Sequence, residues 1–86
     1  MYGGRDERVA LRCKNHLAGV IIDRFGKDVM MIPDETDSFK VNVLVTVSEQ
    51  FFGWLAGLGN GVQLLAPEAV VNEYKQYLQS ILTQYQ

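Results

Sequence analysis

The chain has 86 residues, 48% of them hydrophobic and 21% charged, with a formal net charge of -2. That length holds one domain, which buries only roughly 60 to 65 per cent of the surface its unfolded chain exposes, so the core is thin. The composition is that of an ordinary globular domain rather than a disordered tail, the charge balance speaks against a strong phosphate-binding footprint, and no apolar run approaches the roughly 20 residues that span a bilayer.

Residues 1–7, MYGGRDE, combine a Gly pair with mixed charge and read as a linker or truncated end, which leaves residues 8–86 as the domain. Val9, Leu11 and Cys13 alternate with Ala10, Arg12 and Lys14, the period-two pattern of a strand with one buried face. Asn15 can cap the next helix, where Leu17, Ala18, Ile21 and Phe25 share a face flanked by Val20 and Ile22, and Gly26 stops it. Val29 to Ile32 is a second apolar strand, and Pro33 with Asp34, Glu35, Thr36 and Asp37 is expected to turn the chain. Phe39, Val41, Val43, Val45 and Val47 then alternate with Lys40, Asn42, Leu44 and Thr46. This β-branched run disfavours helix and predicts a central strand.

Ser48 is a good helix N-cap, and Phe51, Trp54, Leu55 and Leu58 follow on one narrow arc that is expected to be core. Gly59 and Gly61 can take the positive φ that ends a helix, Val62 to Ala66 reads as a short strand, and Pro67 suits the first position of a last helix. That helix, to about Gln84, carries Val70, Val71, Tyr74, Leu78, Ile81, Leu82 and Tyr85 on one face, with Tyr77 at its margin. The order βαββαβ plus a helix predicts an α+β fold: a ferredoxin-like sandwich, with two helices on one face of a four-stranded antiparallel sheet, and an additional C-terminal helix.

The segments NHLAGVIIDRFG (Asn15 to Gly26) and SEQFFGWLAGLGNGVQLLAP (Ser48 to Pro67) together resemble the C-terminal extension (WCX) that follows the WYL domain in bacterial winged-helix transcription regulators. Such modules show a helix ending in Arg-Phe-Gly, here Arg24-Phe25-Gly26. A strand then runs into S..F.GW...LG..V, here Ser48 to Val62, and the closing helix is led by a proline, here Pro67. The resemblance covers nearly the whole chain and implies the same fold. It also implies a non-catalytic module that senses an effector or contacts a subunit. The partners it implies are the upstream WYL and winged-helix domains, to which nucleic-acid or nucleotide binding and DNA contact respectively belong.

Chemistry-bearing residues are few. His16 has no Cys, Asp or Glu at ligand spacing, whereas a metal site normally needs three or four such groups, so no metal and no cofactor are expected. Cys13 is the only cysteine; an internal disulfide is excluded, and cytoplasm is the expected compartment. It points inward by alternation and is expected to act as a small apolar side chain. Asp34, Glu35 and Asp37 lack the ligand spacing of a calcium loop and read as a solvated hairpin tip. Gly57, Gly59 and Gly61 follow a helix C-terminus, whereas a phosphate loop precedes a helix N-terminus. Gly53 and Gly57, inside a helix, leave a smooth strip expected to pack on the neighbouring helix.

The sheet face away from the helices should show Ala10, Arg12, Lys14, Lys40, Asn42, Leu44, Thr46, Gln63 and Leu65. It displays no aromatic residue for stacking bases, as RNA-recognition domains of this topology do. Arg12, Lys40 and Asn42 are the candidate ligand or domain contact. The alternative reading is a stand-alone small-molecule-binding or acylphosphatase-like domain, but the latter uses a phosphate-cradling loop after the first strand, and Cys13-Lys14-Asn15 leaves almost none. Neither duplex DNA, for which there is no Arg- and Lys-rich recognition helix, nor a membrane is an expected partner. The last helix has more apolar arc than such a core accepts. It is expected to cover the open face or edge of its own sheet, or to form a homodimer through Tyr74, Leu78, Ile81 and Tyr85.

Overall fold

The computed structural model describes residues 5–86. The elements are β1 (Asp6–Lys14), α1 (Ala18–Phe25), β2 (Ile32–Asp34), β3 (Ser38–Thr46), α2 (Glu49–Gly57), β4 (Val62–Ala66) and α3 (Glu68–Thr83), with 3-10 turns at Asn15–Leu17 and Gly59–Gly61. The fold is α+β, and its one sheet has the order β2-β3-β1-β4 with every described pairing antiparallel. β3 is central, as its alternation predicts, and β1 lies beside it.

The register explains the core. Val9 pairs with Val43, Leu11 with Val41 and Cys13 with Phe39, and all six side chains are buried. Ile21 of α1, Phe51, Phe52 and Leu55 of α2, and Val70 of α3 close over them in one cluster. Each fully buried large aliphatic or aromatic residue contributes roughly 1.5–3 kcal/mol. Ser48 caps α2 as expected, its hydroxyl accepting the Phe51 N–H at 3.2 Å.

Several elements differ from the sequence reading, each for a physical reason. β1 begins at Asp6: the Val47 N–H donates to the Arg5 carbonyl at 2.8 Å and the Thr46 hydroxyl to the Asp6 carboxylate at 2.8 Å, so the ladder outruns the apolar alternation. The first four residues of the expected linker lie outside the described ones. β2 is shifted to Ile32–Asp34, and Val29 and Met31 pack on the core without joining the ladder. Pro33 is tolerated there because β2 is an edge strand. The turn is left to Glu35, at φ 63, with Thr36 and Asp37. Asn15 makes no cap, because the chain enters α1 through a 3-10 turn; its N–H donates to the Asp37 carbonyl instead.

Gly26 and Gly59 take positive φ, 96 and 62, but Gly61 does not. Its role is close approach, since a Cβ there would sit 2.5 Å from Leu17 Cδ1. Trp54 is half-buried rather than core, edge-on to Phe25 at 5.6 Å with the Arg24 guanidinium 4.9 Å from its ring centre. Phe52, off the expected arc, is buried instead, because α3 gives α2 a second surface: its ring meets Tyr74 at 5.3 Å and Tyr77 at 5.5 Å. Gly53 serves that contact, a Cβ there reaching the Tyr77 hydroxyl at 3.4 Å, while Gly57 faces open space.

α3 packs on β4 and α2. Pro67 precedes it as the N-cap residue and Val70 is fully buried. Beyond Tyr77 the helix emerges: Leu78 is 40% exposed, Ile81 39%, Leu82 49% and Tyr85 82%.

Candidate functional site

The face of the sheet opposite the helices carries the even-numbered residues of β1 and β3. Arg12 stands opposite Lys40 on β3 and Gln63 on β4, and Asn42 is the next residue along that face from Lys40. The three expected contact residues are therefore brought together. Two cations directly opposed across strands repel one another. The Arg12 side chain meets this by reaching across β3, its Nε donating to Asp34 Oδ2 of β2 at 2.7 Å and its Nη1 to Gln63 Oε1 at 3.3 Å. One side chain thus ties strands from both edges of the sheet to the centre.

Arg8 belongs to the same face, opposite Leu44, and was not readable as such because the strand pattern was taken from Val9. Leu65 departs from its expected place, since the β1–β4 register slips by one residue there and pairs Ala10 with Ala66.

A hollow of about 230 Å³ lies at the β2–β3 turn end of this face, lined by Arg12, Lys14, Glu35, Ser38, Asn60 and Gln63 among others. Lys14 Nζ lies 3.4 Å from Asp37 Oδ2, and its charge, helped by the Ser38 hydroxyl that donates to the carboxylate, holds the Asp37 carboxyl below its usual range. Both cations of the hollow are thus already matched by carboxylates, with Glu35 in addition. Such a surface suits a neutral polar ligand or a polar protein contact better than a polyanion.

Cys13 is fully buried, and burial pushes its thiol up to about 11, which removes the thiolate a nucleophile requires at neutral pH. His16 is exposed on the 3-10 turn. Lys14 leads straight into that turn, with no loop between. Among the described residues no group of three or more His, Cys, Asp or Glu could hold a metal ion, and no helix is long and apolar enough to cross a membrane.

The four residues expected at a dimer contact divide. Tyr74 is half in its own core, against Phe52 and stacked on Tyr77 at 6.4 Å, and burial followed by the Tyr77 charge raises its hydroxyl pKa. Leu78, Ile81 and Tyr85 are on the surface.

Comparison with known families matches the WCX domain over residues 5–82, from the start of β1 to the last turn of α3. The chain belongs to the WCX domain family. WCX domains are the C-terminal extensions of WYL-type regulators, so this is a regulator-associated domain. Arg12, Lys40, Asn42, Tyr74, Leu78 and Ile81 lie within the matched stretch, and Tyr85 lies beyond it. No curated protein and no solved structure matches the chain.

Proposed function

We propose that this WCX domain is a non-catalytic subunit-contact module of a cytoplasmic bacterial WYL-type transcription regulator, built on a ferredoxin-like frame. The strand order β2-β3-β1-β4, with helices after β1 and β3, supports that frame. The observation that carries the subunit role is the emergent half of α3, where Leu78, Ile81, Leu82 and Tyr85 stand exposed together. A two-fold contact with a second copy would bury this stripe, and the tyrosine would suit its wet margin. DNA contact would then belong to the upstream winged helix and ligand binding mainly to the WYL domain. Sedimentation of the chain at micromolar concentration is expected to show a dimer, and Leu78→Glu with Ile81→Glu a folded monomer. A wild-type monomer overturns the subunit reading.

A second reading, effector or domain contact at Arg12, Lys40 and Asn42, is favoured by the rigid setting of Arg12 beside a polar hollow. Arg12 also holds β2, so the informative variant is Lys40→Ala with Asn42→Ala. Normal regulation by a full-length protein carrying that pair would remove this site.

A further inference from the structure

β3 is paired with β1 along its whole length but with β2 only at Ser38, Phe39 and Lys40. The Val47 N–H donates to the Arg5 carbonyl, which fixes the alternation of the β1–β3 ladder. Odd-numbered residues of β3 turn their backbone groups to β1, and Asn42, Leu44 and Thr46 turn theirs to the outer edge. Of these outward groups, only the Thr46 carbonyl has a partner among the described residues, the Ser48 hydroxyl at 3.4 Å.

Strand edges are ordinarily blunted by charge, proline, a bulge or a cover. The rest of this sheet follows that habit: β4 slips its register and is packed by α3, and β2 carries Pro33 and Asp34. The stretch Asn42 to Thr46, NVLVT, has no charge and no proline, and its register with β1 is unbroken. Two hollows of about 320 and 480 Å³ run along it and share Phe25 and Leu44. Phe25 and Val29 line the helix side, and Leu44 and Asn42 the open side. Arg8 and Arg24 stand in the walls and Asp28 is the one carboxylate there. Neither arginine has a carboxylate partner among the described residues; Arg24 lies over the Trp54 ring.

We propose that this edge binds an extended acidic polypeptide segment, which adds to the sheet as a further strand beside β3. The unpaired N–H and C=O groups form the ladder, successive side chains of the segment fall by turns over Phe25 on the helix side and Leu44 on the open side, and carboxylates of the segment meet Arg8 and Arg24. This surface is separate from the α3 stripe, and the proposal stands without the subunit reading.

The probe is a short synthetic peptide alternating valine and threonine, with glutamate at each end, titrated into the isotope-labelled chain. Saturable shifts and slowed hydrogen exchange are expected at the amides of Asn42, Leu44 and Thr46. Affinity should fall at least about tenfold when alternate peptide amides are N-methylated, and again when the glutamates are replaced by lysines. The variant Arg8→Glu with Arg24→Glu, changed only at exposed side chains, is expected to reverse the charge preference. Absence of binding by the glutamate peptide, equal binding by the N-methylated one, or an unchanged charge preference in the variant overturns the proposal. So does concentration-dependent protection of the same three amides without peptide, which would assign the edge to a second copy.

Discussion

Val70 and Ile81 lie on the same line of α3, three turns apart, yet Val70 is fully buried and Ile81 is 39% exposed. Their side chains are similar; the support beneath them is not. α2 meets the middle of α3, its Phe52 ring lying against Tyr74 and Tyr77, and β4 packs on the same helix, whereas Leu78, Ile81, Leu82 and Tyr85 beyond stand exposed. An apolar stripe is therefore core for as long as a neighbour lies under it, and becomes surface where the neighbour ends.

The largest expected effect breaks the supported half. Phe52→Ala removes the ring between α2 and the Tyr74–Tyr77 pair and should cost about 3–5 kcal/mol in chemical denaturation. A loss under about 1 kcal/mol would mean that α3 is held mainly by β4.

A smaller effect comes from the buried side at high pH. Burial raises the Cys13 thiol from 9.0 to about 11. As pH rises past about 9 the unfolded chain gives up this proton first, so the native state loses ground until its own thiol ionises. Stability should be full below pH 9 and fall by about 2–3 kcal/mol by pH 11. Cys13→Ala should remove most of that slope, leaving a shallower one from Tyr74, whose hydroxyl is also shifted up. Denaturation at stepped pH checks both, and an unchanged slope in the variant would place the titration elsewhere.

The smallest effect sharpens the comparison. Ile81→Ala should change the stability of the dilute chain by under about 1 kcal/mol, whereas Val70→Ala costs about 2–3 kcal/mol. If the exposed stripe meets a second copy, the Ile81→Ala deficit should grow with protein concentration.

Much of this was legible in the sequence where one period governed burial. β3 could be read residue by residue because Val41, Val43 and Val45 alternate with solvated neighbours, and β1 pairs with the strand along its whole length. β2 was misplaced because Pro33 and Asp34 read as turn residues, and only the sheet order reveals an edge position that accepts them. Phe52 was not legible because helical periodicity marks one apolar arc, and this helix has two packed sides. Trp54 lies at the margin of the expected arc, half-buried, so its replacement by Ala should cost less than that of Phe52. At the site, alternation was enough to put Arg12, Lys40 and Asn42 on one face. The pairing of Arg12 with Asp34 was not readable, because it depends on the register of a three-residue strand. The bare edge of β3 was hidden for the same reason, since it exists only because β2 is short.

β1 is the first strand in the chain and one of the two central strands of the sheet, with β3 on one side and β4 on the other. During synthesis it leaves the ribosome before the other strands of this sheet and is completed late. Its pairing with β3 waits for Thr46, and its other edge, from Ala10 to Cys13, has no neighbour until Val62 to Ala66 have been made. Local helices can form meanwhile, but pairings so far apart along the chain close slowly. A nascent chain stalled before Val62 would hold Leu11 and Cys13 on an open strand, a template for joining other such chains until the last third arrives.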